Sequence, residues 1–375
     1  MPSSLFRVGV LTGGGDCPGL NAVIRAVAKS LILKHDADVI GIRDGFHGLI
    51  ERDTEPLTYE RVSGILTEGG TILGASNRAN PFEYYRSGGA DVSAQVVANY
   101  DALDLDAVVA IGGDGTMTIA SQLADLGLDV VGVPKTIDND LVGTDRTFGF
   151  DTAVSIATEA MDRIHTTAQS HHRAMIVETM GRYAGWIALH AGVASGADVI
   201  LIPEIEYDID AVAQVCIDRD RGGQRFTIIA IAEGATPEGG EQAVKSVVED
   251  SPDPVRLGGI GHVLAEQLKP HIRSEVRTTI LGHMQRGGTP TPYDRNLATA
   301  FGARAASLVA HEQYGQMVAL QSGAFTEVPL SEVAGKTRTV PLSAPLIASG
   351  LAVGTSFGID ALDARMTDVE SAALT

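Results

Sequence analysis

Two stretches of this sequence repeat one pattern: an unbroken apolar run, a cluster of glycines, then an amphipathic run. In the first, "FRVGVL" (Phe6 to Leu11) leads through "TGGGDCPG" into "LNAVIRAVAKSLILK". In the second, "DAVVAI" meets "GGDG" and passes into "TMTIASQLADLG". Apolar runs without polar alternation read as strands buried on both faces, which requires helices on each side of a parallel sheet. Further strands are expected at "DVVGVP", "AMIVET", "DVILIPE", "FTIIAIAEG" and "VRTTILGH", with helices at "TFGFDTAVSIATEAMDRIHTTAQ" and "YAGWIALHAGVA". Such alternation predicts an α/β chain of two doubly wound, mostly parallel-sheet domains. A length of 375 residues allows two cores, and 43 glycines with 5% aromatic residues suit that class. The acidic segment "TPEGGEQAVKSVVEDSPDPV" reads as a surface insertion.

The formal charge of −19, from 28 basic and 47 acidic residues, argues against nucleic acid or an anionic membrane as partner, since both would repel the chain. A phosphorylated ligand would need local clusters of arginine and backbone N–H groups. Cys17 and Cys216 cannot build a disulfide framework, which points to a reducing cytoplasm. No apolar run approaches ~18 residues, and "MPSSLFR" has no signal-peptide pattern. A soluble, cytoplasmic protein is expected.

In doubly wound sheets ligands gather at the carboxyl ends of strands, and the chemistry-bearing residues of this chain fall there. The three glycines of "TGGGDCPG" would let backbone approach a phosphate at a helix N-terminus; a plain tight turn with Asp16 as cap would use the same residues. Asp114, between glycines in "GGDG", suits Mg²⁺, which takes one or two carboxylates plus substrate phosphates. In "PKTIDND" an extended chain would set Asp138 and Asp140 on one face with Asn139 opposed. Two acids facing one site raise each other's pKa and can supply a general base, while Lys135 and Thr136 can meet phosphate oxygens. "ETMGRYAG" places Gly181 and Arg182 at a helix start. On a strand, Arg277 and His283 would face one side for capture of a phosphate dianion, with Arg286 following. Cys17 reads as a packing residue.

Taken in order and spacing, "GVLTGGGDCPGLNAVIR", "IGGDGT", "PKTIDND", "MGRYAG" and "LGHMQRGGTPTPYDR" closely resemble the phosphofructokinase family, from roughly Val8 to Ala300. The resemblance implies a glycolytic kinase that phosphorylates fructose 6-phosphate at its 1-hydroxyl, using Mg²⁺. It implies Asp138 as catalytic base with Arg182 as catalytic partner, and Asp114 as the metal carboxylate. Nucleotide contacts are implied at Gly14, Arg78, Ala79, Gly113, Asp114, Gly115 and Thr116. Substrate contacts are implied at Thr136, Ile137, Asp138, Met180, Gly181, Arg182, Glu233, His283, Met284, Gln285 and Arg286, with Arg173 and Arg277 reaching over from a neighbouring subunit. A shared site implies a homo-oligomer, most often a tetramer. The implied division is a nucleotide-binding domain at 1–148 plus about 290–335 and a sugar-phosphate domain at 149–289 plus about 336–375. The resemblance implies ATP as donor through Gly115, because pyrophosphate-using relatives carry Asp there. Lys135, typical of those relatives, keeps a pyrophosphate-dependent enzyme as the alternative, and a non-catalytic sugar-phosphate-binding regulatory subunit as a third. Within the resemblance, Asp145 is expected to be structural, in a turn crossing between the domains.

Overall fold

The computed structural model describes residues 6–247 and 255–360. Along them the strands are β1 (Arg7–Thr12), β2 (Asp38–Ile42), β3 (Thr54–Pro56), β4 (Ala107–Gly112), β5 (Val130–Pro134), β6 (Arg173–Thr179), β7 (Val199–Leu201), β8 (Thr227–Ala232), β9 (Val244–Val247), β10 (Val255–Leu257), β11 (Glu275–Ile280), β12 (Gln316–Gln321) and β13 (Ala324–Pro329). The chain divides into two compact units. Of the described residues, one is built from 6–152 and 286–337, the other from 153–247, 255–285 and 338–360.

The first unit carries a seven-stranded sheet in the order β13-β12-β5-β4-β1-β2-β3. The pairings β12–β5, β5–β4, β4–β1 and β1–β2 are parallel, while the outer β13 and β3 run antiparallel to their neighbours. Every residue of β4 and β5 is buried, as their unbroken apolar sequence requires of strands covered on both faces. Helices Phe46–Glu51, Ser93–Ala102 and Asp114–Asp125 set Phe46, Leu49, Val96, Tyr100, Met117 and Leu123 into one core with Leu11, Val108, Ala110 and Met317. Helices Leu20–His35 and Pro292–Ala310 pack on each other, the latter also against β5 and β12.

From β1 the chain winds to β2 on one side and later returns to β4 on the other. The loops after β1 and β4 therefore leave the sheet in opposite directions and open a crevice at their carboxyl ends. "TGGGDCPG" follows β1 and "GGDG" ends β4, so both glycine clusters lie at that switch point.

The second unit has a four-stranded parallel sheet, β11-β6-β8-β7, and a separate antiparallel ribbon, β9–β10. Its core joins Ile176, Val199, Ile229 and Ile231 to Val212, Cys216, Leu264 and Leu268. The stretch "DVILIPE" yields only Val199–Leu201 as strand, because the chain leaves the sheet before Pro203. The expected insertion is exposed at Glu238–Glu241, with β9–β10 beyond it, and 248–254 lie outside the described residues. Among the described residues no helix is long and apolar enough to cross a membrane.

Candidate active site

The loop after β1 is fixed to its surroundings by backbone. Gly13 N–H donates to Ile111 O at 2.8 Å and Gly14 N–H to Ser76 O at 3.0 Å. Thr116 is buried beneath it, held by close approach: a Cβ on Gly13 would sit 2.5 Å from Thr116 Oγ1, and one on Gly112 only 2.2 Å from it. Neither position can carry a side chain while Thr116 stays in place. Gly115 differs, since a Cβ there would meet nothing within 4 Å. It lies in the first turn of helix Asp114–Asp125, whose N-cap is Gly113 and whose leading N–H groups can face an anion. Asp16 caps no helix, for Leu20–His35 starts at Gly19 without a side-chain cap. Cys17 is fully buried as expected of a packing residue, and burial pushes its thiol up to about 12.

Two cations converge on the same loop. Lys135, at the end of β5, is 3% exposed and its Nζ donates to Gly15 O. Burial holds its pKa below the usual lysine range, only partly offset by Cys17. Arg286 donates from Nη1 to Asp16 O at 3.2 Å. Asp138 feels both charges, yet burial outweighs them and raises its carboxyl pKa. Its Oδ1 is buried with no hydrogen-bond partner. A carboxylate oxygen held that way is an acceptor waiting for a donor.

The "TIDND" segment is a turn rather than an extended strand. Asn139 has φ +52°, Asp138 N–H bonds Thr136 Oγ1 at 3.1 Å, and Thr147 closes the turn through its N–H to Asn139 Oδ1 at 3.0 Å and its hydroxyl to Thr136 O at 2.7 Å. Strand alternation therefore does not relate Asp138 and Asp140. They interact nonetheless: burial, reinforced by the Asp138 charge, pushes Asp140 up to about 7. Thr136 is nearly buried and Ile137 fully so. Asp145 sits within the first unit, not at a crossing: its Oδ2 accepts Ser322 N–H at 2.6 Å and its N–H donates to Leu320 O at 2.7 Å, anchoring the β12–β13 turn.

Asp114 opens its helix, and its Oδ1 accepts the Gly335 N–H at 3.0 Å. Burial raises its pKa against those hydrogen bonds. Among the described residues no three His, Cys, Asp or Glu groups are placed to hold a metal. One carboxylate without a preformed cage fits a hard cation that phosphate oxygens help to bind, such as Mg²⁺.

Arg78 lies over the Tyr85 ring at 4.6 Å, and its N–H bonds Ser76 Oγ at 3.2 Å. The Ala79 methyl is packed in the core, so only its backbone can serve a ligand.

In the second unit the candidates cluster at the carboxyl ends of β6, β8 and β11. Met180, Gly181 and Arg182 follow β6, Glu233 follows β8, and His283 and Met284 follow β11. Glu233 N–H donates to Thr179 O at 2.9 Å and Gly234 N–H to Gly181 O at 3.2 Å, which joins the first two loops. A Cβ on Gly234 would lie 2.0 Å from Arg182 O, so this junction demands glycine. The Arg182 guanidinium lies 5.0 Å from the Tyr183 ring. His283 belongs to the 3₁₀ turn Gly282–Arg286, beyond the end of β11 at Ile280, so the same-face relation to Arg277 does not hold. His283 and Met284 are exposed, whereas Gln285 is fully buried with Nε2 on Gly282 O. Arg173 opens β6, six residues before Thr179, which at ~3.3 Å per residue is roughly 20 Å from the Met180 end. Arg277 is level with Met175, partway along the edge strand β11. Both guanidinium groups bind Glu275, Arg173 through Nε at 2.5 Å. Within this sheet Arg173 thus lies at the opposite end of β6 from Met180–Arg182.

The family model described as Phosphofructokinase matches residues 7–309. The chain belongs to the phosphofructokinase family. This phosphofructokinase is 50% identical over 364 residues to the ATP-dependent 6-phosphofructokinase 2 of Clostridium perfringens, covering 95% of this chain and 100% of that one. It is 54% identical over 337 residues to the pyrophosphate–fructose 6-phosphate 1-phosphotransferase of Amycolatopsis mediterranei, covering 90% and 97%. Among solved structures, the Pichia pastoris phosphofructokinase in the T-state superposes with a TM-score of 0.76 at 30% identity, over 94% of this chain and 37% of that longer one. Four further residues bear on the site without having been singled out in its sequence: Thr118 and Gly335 at Asp114, Glu275 between the two arginines, and Asp294, whose charge acts on Cys17. The spacing of Asp114 and Thr118, one helical turn, was the available signal for the first.

Proposed function

We propose that this chain is a 6-phosphofructokinase that transfers the terminal phosphoryl group of ATP to the 1-hydroxyl of fructose 6-phosphate in the cytoplasm. The observation that carries the assignment is the buried, unpartnered Oδ1 of Asp138, next to the cations Lys135 and Arg286. That oxygen accepts the proton of the attacking hydroxyl, and its raised pKa improves it as a base at neutral pH. Lys135, the Gly15 N–H and the N–H groups of the Gly113–Gly115 helix start hold the negative phosphoryl group in line. Bound with the nucleotide, Mg²⁺ supplies charge neutralisation on the phosphates, and Asp114 is the residue to hold it. Arg182, His283 and Arg286 orient the sugar phosphate, with Met180, Gly181, Glu233 and Met284 around it.

In this assignment 1–148 with about 290–335 bind the nucleotide, and 149–289 with about 336–375 bind the sugar phosphate. Arg173 and Arg277, remote from Met180–Arg182 in their own chain, act in a neighbouring subunit of a homotetramer. Gly115 supports ATP: open space at its α-carbon leaves a passage for the adenosine-bearing phosphate. The buried Lys135 on Gly15 O favours pyrophosphate as the second reading. A regulatory subunit without activity is disfavoured, because Asp114 and Asp138 are both in place. A coupled assay with fructose 6-phosphate and either donor tests the choice; turnover with ATP above that with pyrophosphate is expected, and the reverse would reassign the donor.

A further inference from the structure

Thr118 stands one helical turn after Asp114, so both side chains rise from one face of helix Asp114–Asp125. Thr118 Oγ1 donates to Asp114 Oδ1 at the long limit of 3.5 Å and accepts the Gly335 N–H at 3.0 Å. The same Gly335 N–H is 3.0 Å from Asp114 Oδ1, and the Lys336 backbone also donates to that carboxylate. Gly335 has φ +69°, so the turn that delivers these donors depends on glycine. The Thr118 hydroxyl, four residues on, and two amides from a segment more than 200 residues away in sequence thus meet on one carboxylate.

All these donors are neutral. An arginine or lysine at this position would compete with a metal for the negative charge, whereas neutral donors leave the charge intact and fix only the plane of the carboxylate. That is how groups behind a metal-binding carboxylate commonly act.

The geometry points to Thr118 as a positioning residue: its hydroxyl, with the Gly335 amide, fixes the Asp114 carboxylate for the metal–nucleotide complex. This rests on Asp114 being the metal carboxylate. The Thr118 side chain is only half-buried, and valine would fill the same volume without the hydroxyl.

The test measures Mn²⁺ binding to the whole protein with a non-transferable ATP analogue, by electron paramagnetic resonance of the free ion, beside KM values for Mg·ATP and fructose 6-phosphate. Thr118→Val should weaken Mn²⁺ binding about 3- to 10-fold and raise the Mg·ATP KM alike, with the sugar-phosphate KM within about twofold of wild type. Thr118→Ser should restore both. Thr118→Ala, a good helix former, provides the same reading should the valine variant fail to fold. Wild-type Mn²⁺ binding in Thr118→Val and Thr118→Ala, while Asp114→Asn abolishes it, overturns the positioning role alone. Unchanged binding in Asp114→Asn overturns the metal assignment, and the role of Thr118 with it.

Discussion

Asp294 Oδ2 accepts both the N–H of Thr152, at 2.8 Å, and its hydroxyl, at 2.6 Å, so one fully buried carboxylate binds the start of helix Phe150–His171 from 142 residues away. Thr291 adds its hydroxyl to Asp151 Oδ2 at 2.6 Å and its N–H to Thr152 Oγ1 at 3.0 Å. Two helix starts are thereby tied together by two acids and two threonines.

Burial pushes Asp294 up to about 6, above its ordinary 3.8, against the pull of Thr152. A carboxyl raised on folding contributes stability that is full below its unfolded value and is lost as pH rises through its folded value. Relative to Asp294→Asn, which does not titrate, the native protein should be more stable by about 1–2 kcal/mol at about pH 5 than at about pH 7.5. Denaturant melts of both proteins at the two pH values measure this, and an equal difference at both would contradict it. Asp294→Ala removes the acceptor and should cost about 1.5–3 kcal/mol.

Asp138→Asn keeps the shape of the turn but cannot take a proton, so turnover should fall by roughly 10²–10⁴ while substrate binding persists. In the native enzyme kcat/KM should rise with pH through the neutral range, since burial raises both Asp138 and Asp140, the latter to about 7. The limb belongs to the pair. Asp140→Asn removes a neighbouring negative charge and should move that limb to lower pH; a pH–rate profile that does not move would break the link.

Gly115→Asp should fold normally, because its Cβ has room and an acid in the first turn of a helix is favoured by the macrodipole. The new carboxylate would repel the α-phosphate of ATP by about 4 kcal/mol at ~4 Å and an effective dielectric of 20. Loss of ATP use with an unchanged melting temperature, and a far smaller effect on pyrophosphate, is the expected pattern. Equal losses with both donors would show that position 115 does not select between them.

Arg277→Ala protomers mixed with Asp138→Asn protomers should regain activity after subunit exchange, because some sites then combine an intact base with an intact arginine. Each variant alone should stay impaired. No recovery, with exchange confirmed by mass, would place every site within one chain.

The strand-and-glycine frame was legible because it depends on short-range pattern. The run "AVVAIG" could hardly be anything but a buried strand, and the turns at Gly13–Gly15 and Gly113–Gly115 follow from it. What was not legible depends on contacts distant in sequence or on single dihedral angles. Asn139 enters the left-handed region because Thr147 closes the turn behind it, and no period-2 reading of "DND" contains that. The chain leaves the strand register at Gly282, right after Leu281 binds Glu178 O, and carries His283 with it. Asp145 looked like a linker residue and proved to anchor a hairpin whose sequence lies more than 170 residues on. Pairings such as Thr118 with Gly335 have no local signature at all.

The contrast between Gly112 and Gly115 bears on how such enzymes diverge. At Gly112 the smallest side chain would displace Thr116, so the position is held to glycine while Thr116 stays in place. Three residues on, a side chain can be gained or lost with no neighbour displaced, so descent can explore it without risk to folding. Under the proposed role of position 115, a change of phosphoryl donor would leave the scaffold the same. Relatives named for ATP and for pyrophosphate are each about as similar to this chain as the other, so overall likeness leaves the donor to be set by a few positions of the site.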